Sequence, residues 1–206
     1  MRRVAPSHLL LASAAALLGF GYTARLVARG RTEGADNQAR DEVQAARAPA
    51  ADAVAKASGH LGKEYLHFPV AVALALGLRQ HGLGMRAAVP VFASTVSELV
   101  NRLVTRTLHI RIVPPGHPEH DEQKPSFPSG HAMETTGVAL ASAYVLAREG
   151  IVPAAPAFAV AALAAAASTA GRLVLDRHWI TDVVGGTLLG LAIAANSAAA
   201  YETMRS

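Results

Sequence analysis

Residues 171–201 read GRLVLDRHWITDVVGGTLLGLAIAANSAAAY, and this stretch decides the fold. From Val183 to Tyr201 it contains no Asp, Glu, Lys or Arg, close to the ~20 residues that cross a bilayer as a helix. Directly before that run stand Arg172, His178 and Asp182, so a chemically capable group sits where a span begins. Residues 4–24 and 150–171 also lack all four charged residue types. Three weaker apolar stretches lie between: 65–78 with His67 and Pro69 near one end, 87–104 with Glu98, Asn101 and Arg102, and 132–147 with Glu134. A polar group within a span faces the bundle interior or a water-filled cavity. The expectation is an all-α, six-transmembrane helix bundle with its active site at one membrane face.

Composition agrees. Half of the 206 residues are apolar but only 5% are aromatic, and alanine supplies much of the remainder. Small helix-forming residues let helices approach closely in lipid. The absence of cysteine excludes disulfides and thiolate chemistry. The net charge of +4 is scattered between apolar stretches, with no basic stripe carrying interleaved aromatics, which argues against a nucleic-acid partner.

The chain divides into a first transmembrane helix (1–30), a polar exposed segment (31–63) and a helical core (64–206). Arg2 and Arg3 resemble the start of a signal peptide, but the apolar run extends to Tyr22 and is followed by Arg25 and Arg29, which favours a retained helix. Residues 31–63, rich in Ala, Arg, Asp and Glu, read as a solvated connector. With the amino end inside, loops 105–130 and 171–182 fall together on the outer face.

Those two loops hold the chemistry. Pro128-Ser129-Gly130-His131 reads as a turn and N-cap opening a helix. A helix start presents free N–H groups and a positive dipole end to phosphate, Ser129 adds a hydroxyl, Gly130 allows close approach, and His131 stands at the mouth to donate a proton. His178 and Asp182 are four residues apart and share a helical face, so the carboxylate can hold one ring nitrogen and leave the other free to attack. Arg172 supplies a planar fork for phosphate oxygens. Arg102, Arg106 and Arg111 precede Pro114-Pro115, and like charges so spaced suit an anion between them. His117-Pro118-Glu119-His120-Asp121-Glu122 offers metal-ligating types, but Pro118 interrupts any helix that would hold them, and the better reading is a polar loop.

Together these residues resemble the type 2 phosphatidic acid phosphatase family, whose motifs are a Lys, six residues, then Arg-Pro; Pro-Ser-Gly-His; and Ser-Arg, five residues, His, three residues, Asp. The second is intact at 128–131. The third is present as Gly171-Arg172, His178 and Asp182, with glycine in place of serine. The first departs: Arg106 lies seven residues before Val113-Pro114, leaving Arg111 and Lys124 as candidates for its basic residues. The resemblance covers roughly residues 65–200.

The resemblance implies a bacterial cell-membrane phosphatase with its site on the outer face. His178 would become phosphohistidine, Asp182 would hold its ring, and His131 would protonate the leaving oxygen. Arg172, Ser129, Gly130 and one or two of Arg106, Arg111 and Lys124 would bind phosphate, with no metal and no cofactor. The expected partners are a lipid phosphate or diphosphate and the surrounding membrane lipids. The related vanadium haloperoxidases are larger and soluble, which six apolar segments argue against. A silent phospholipid-binding membrane protein is the alternative, motivated by the altered first motif and Gly171.

Overall fold

The computed structural model describes residues 4–116 and 125–205. Among these, helices α1 (Pro6–Ala28), α2 (Glu33–Ala45) and α3 (Pro49–Ser58) are followed by a 3₁₀ turn at Gly59–Gly62. Then come α4 (Glu64–Gln80), a second 3₁₀ turn at Gly84–Ala88, α5 (Val89–Thr107), α6 (Gly130–Arg148), α7 (Ala154–Val174) and α8 (Ile180–Arg205). Proline stands in the first turn of α1, α3 and α5, where its missing N–H costs nothing. Between α5 and α6 the described chain forms an isolated antiparallel bridge from Ile112 to Pro125, and the Phe127–Pro128 peptide bond is cis.

Helix α6 lies centrally, packed on α5, α7 and α8, while α1 runs along α8 and α3 lies on α7. Glycine permits the closest crossing. A Cβ at Gly190 would stand 2.6 Å from the Met133 carbonyl, and one at Gly186 would overlap the Ser129 carbonyl. Gly186 and Gly190 are four residues apart, the small-residue spacing that brings helix backbones together in lipid. The core is built from small side chains such as Ala93, Ala132, Ala141 and Ala161. They pack around a few large ones such as Leu78, Phe127, Met133 and Tyr201, while many other large apolar side chains point outward: Leu18 is 76% exposed, Leu163 69% and Leu11 67%. Such a surface is unfavourable in water and ordinary against acyl chains.

Helices α1, α7 and α8 are long and apolar enough to cross a membrane. Of the six spans expected, three are met on length and apolarity among the described residues. α4 has 17 residues, and α5 and α6 have 19 each but carry Glu98, Arg102 and Glu134. Their polar groups are directed at one another: Asn101 donates to Glu134 at 2.8 Å, and His67 lies 3.4 Å from the same carboxylate.

Candidate active site

The start of α6 is set by local chemistry. Ser129 is its N-cap, with Oγ accepting from the Ala132 N–H at 3.4 Å. The Ser129 hydroxyl proton remains free to donate, and the Gly130 and His131 N–H groups head the helix with no carbonyl one turn back to receive them. The Ser129 N–H donates to the Asp182 carbonyl at 2.9 Å, which joins the two motifs directly. Ser129 and Asp182 are both fully buried.

Asp182 occupies the first turn of α8, where its Oδ2 accepts from the Trp179 N–H at 2.9 Å. That is the reach-back half of a capping box. The same oxygen stands 3.4 Å from His178 Nδ1, in line with the expected pairing but longer than a formed hydrogen bond. Catalytic contacts are often loose before substrate arrives. His178 itself lies in the turn before α8, not on the helix.

Arg172, in the last turn of α7, is only 4% exposed. Its Nε has no hydrogen-bond partner among the described residues. Burying a guanidinium without an anion is costly, so this site is organised for one. The turn at 59–62 closes over it: a Cβ on Gly59 would overlap Arg172 Nη2, and one on Gly62 would lie 2.8 Å from His131. Gly171 is explained by the same packing. A Cβ there would stand 2.8 Å from Ser58 Oγ and 3.0 Å from the Ala55 carbonyl, so α3 fills the space of the family's serine side chain.

Helix α2 holds the turn that carries His178. Asp36, Arg40 and Gln44 recur every four residues and form one stripe. Asp36, fully buried, accepts from the Thr181 N–H at 3.0 Å and from Arg111 at 2.6 Å. Arg40 forms a two-pronged pair with Asp176 at 2.8 and 2.7 Å, and Asp176 sits at a left-handed φ of 51°. Gln44 donates to the Leu173 carbonyl at 3.0 Å at the end of α7. Although many residues of 31–63 are exposed, the segment thus includes buried anchors that a connector does not need. A polar stripe with a period of four was visible in the sequence, but nothing there distinguished it from a solvated face.

The expected phosphate ligands are placed unequally. Ser129, Gly130 and Arg172 meet with His131, His178 and Asp182. Arg111 is occupied: it pairs with Asp36, donates to Thr181 at 2.8 Å, and stacks on Trp179 with 4.5 Å to the ring centre. Arg106 is exposed near the end of α5. Arg102 pairs with Glu98 at 2.5 Å, so a carboxylate already meets the charge expected to share an anion with Arg106. Lys124 and the His117–Glu122 loop lie outside the described residues. Two basic residues that the motifs did not single out, Lys63 and Arg177, are near enough for their charge to act on His131. Burial first, then the charges of Arg172, His178, Lys63 and Arg177, push the His131 imidazole down to about 3. His131 is therefore neutral at neutral pH.

The arrangement can hold a phosphoryl group against Arg172 and the start of α6, with one imidazole positioned by a carboxylate and a second beside it. No curated protein sequence matches the chain. Its fold is similar to the crystal structure of the first transmembrane PAP2 type phosphatidylglycerolphosphate phosphatase from Bacillus subtilis, with a TM-score of 0.79. The two are 24% identical, over 88% of this chain and 92% of the other, a likeness of fold. Residues 64–205, more than half of the chain and including both motifs, match the PAP2 superfamily, and this protein belongs to that family.

Proposed function

We propose that this protein is an integral-membrane phosphatase that hydrolyses a lipid phosphate or diphosphate through a phosphohistidine on His178, at the outer face of a bacterial cell membrane. The carrying observation is a buried Arg172 whose Nε lacks a hydrogen-bond partner among the described residues, beside two histidines of which one stands 3.4 Å from a buried carboxylate. His178 Nε2 attacks phosphorus while the bond to the leaving oxygen breaks, and His131 gives that oxygen a proton. His131 then takes a proton from water, whose oxygen attacks the phosphohistidine and releases phosphate. Asp182 keeps the His178 ring oriented and stabilises the proton on Nδ1. Arg172, the Ser129 hydroxyl and the first N–H groups of α6 stabilise the equatorial oxygens, the larger contribution in such transfers. Lys63 and Arg177 take the place of the altered first motif, and Arg111 acts as a strut. The substrate's negative charge offsets the cations around His131 and lets it carry a proton at the moment it is needed.

A lipid substrate fits the surroundings. An apolar groove of about 630 Å³ runs between α4, α6 and α7, lined by Leu61, Leu66, Val70, Val138 and Ala161, with Leu61 adjoining the Gly62 that touches His131. Phosphatidic acid, undecaprenyl diphosphate and phosphatidylglycerol phosphate, the last named for the Bacillus subtilis protein, are the candidates. The test is phosphate release from each by detergent-solubilised protein and by His178→Ala, with acid-labile, base-stable phosphoenzyme trapped during turnover. Release with phosphoenzyme in the wild type and neither in the variant is expected. Lipid binding without release overturns the proposal in favour of the silent binder.

A further inference from the structure

Beneath the head of α6 lies a second group of ligating side chains that the phosphatase chemistry does not use. We propose that His67, Glu98 and Glu134, from α4, α5 and α6, bind one divalent transition-metal ion, zinc by ligand type. One ligating atom from each lies within 4.8 Å of the others. The His67 and Glu134 side chains are 4% and 5% exposed, and Glu98 is 22% exposed. His67 Nε2 has no hydrogen-bond partner among the described residues, although it faces Glu134 Oε2 at 3.4 Å. A tetrahedral ion bound at about 2.0–2.2 Å holds its ligands about 3.3–3.6 Å apart; His67 and Glu134 already stand 3.4 Å apart, and Glu98, within 4.8 Å of both, closes in by a side-chain adjustment.

The outer partners orient both ligands. Ser94 Oγ is 2.9 Å from His67 Nδ1, and Asn101 donates to Glu134 Oε1 at 2.8 Å. When Nδ1 donates to Ser94, Nε2 turns a bare lone pair toward a carboxylate, a contact that calls for a cation between them. When Ser94 donates instead, the Nε2 proton has no formed hydrogen bond to Glu134. A dication with two carboxylates and a neutral imidazole carries no net charge, as an interior between apolar helices favours; Glu98 also accepts from Arg102 at 2.5 Å, a guanidinium that is 57% exposed and solvated. Histidine nitrogen with two carboxylate oxygens suits zinc better than calcium or magnesium. A cavity of about 300 Å³, lined in part by Glu64, His67, Glu98 and Arg102, gives the ion an entrance. The Asn101 amide that holds Glu134 also abuts Gly130, where a Cβ would come within 2.7 Å of it. The ion therefore fixes the head of α6 and stands outside the reaction.

The test uses the untagged full chain in detergent, stripped with chelator, desalted and titrated with Co²⁺, then with competing Zn²⁺. One Co²⁺ per chain with a tetrahedral visible spectrum, displaced by Zn²⁺, is expected, together with a rise in Tm on adding Zn²⁺. His67→Gln and Glu134→Gln abolish both signals. Ser94→Ala weakens binding about 10-fold as an outer-shell partner, and His178→Ala leaves it unchanged. If a buried variant does not fold, the more exposed Glu98→Gln carries the test, with binding weakened at least as much as in Ser94→Ala. Trace binding by the wild type overturns the proposal and leaves a proton shared between His67 and Glu134. Binding indifferent to the His67, Glu98 and Glu134 variants, or lost in His178→Ala, overturns it as well.

Discussion

Gly171, the departure from the third motif, is a packing requirement. Its neighbours are the Ala55 backbone and the small Ser58 side chain, and the backbone cannot rotate away. Gly171→Ser is expected to cost about 1–3 kcal/mol by overpacking, without raising activity, as measured by thermal unfolding and phosphate release. A gain in both would show that the missing hydroxyl is the defect. Gly59→Ala differs because the obstructed atom is the end of the Arg172 side chain, which can swing aside. There kcat/KM is expected to fall roughly 10- to 100-fold with little change in Tm, because a displaced phosphate ligand harms rate more than fold. His131 sets a pH dependence of stability. Its folded pKa of about 3 lies below the unfolded value of about 6.5. Between those values the unfolded state binds more protons, so the stability it contributes is present above about 6.5 and is lost as pH falls toward 3. Melting of wild type and His131→Gln across pH 4–7 is expected to show a steeper acid loss in the wild type, lessened by added phosphate.

At the scale of elements, α2 acts as a strap across the α7–α8 turn. Each of its three contacts, from Asp36, Arg40 and Gln44, supports a different part of the segment from Leu173 to Thr181. The contacts are unequal. Asp36 is fully buried and Arg111 is 12% exposed, so Asp36→Ala leaves a cation desolvated and unpaired, at a cost of about 3 kcal/mol. The Arg40–Asp176 pair is more open, with Arg40 28% exposed, and Arg40→Ala is expected to cost about 1 kcal/mol. Both variants should lower kcat through the displaced His178 turn. If Asp36→Ala melts like wild type, α2 is only a connector.

At the scale of the molecule, many large apolar side chains such as Leu11, Leu18, Leu103 and Leu163 face outward while alanines such as Ala93, Ala132 and Ala141 pack inside, the arrangement expected when the solvent is lipid. Helices α4 and α6 run from the site end toward Gly82 and Gly150, and the chain has no native cysteine, so single cysteines report sidedness cleanly. For a six-span bundle, Gly82→Cys and Gly150→Cys label from the cytoplasmic side, while Ala46→Cys and His109→Cys label from the outside. Labelling of all four from one side would refute the six spans and the outer-face site together.

Sequence alone determined the local chemistry: the cap at Ser129, the closeness of His178 to Asp182, and the apolar lengths of α1, α7 and α8. Each of these is set by residues within a few positions of one another or by composition. Tertiary structure alone decided which basic groups surround His131, why Gly59, Gly62 and Gly171 have no side chain, and that Asp36 is buried. Those contacts join residues tens to more than a hundred positions apart; Asp36 and Thr181 are 145 apart. A polar stripe on a helix looks alike whether it meets water or a charged partner. Only the packing of α2 and α3 against α7 and α8 settles which it meets.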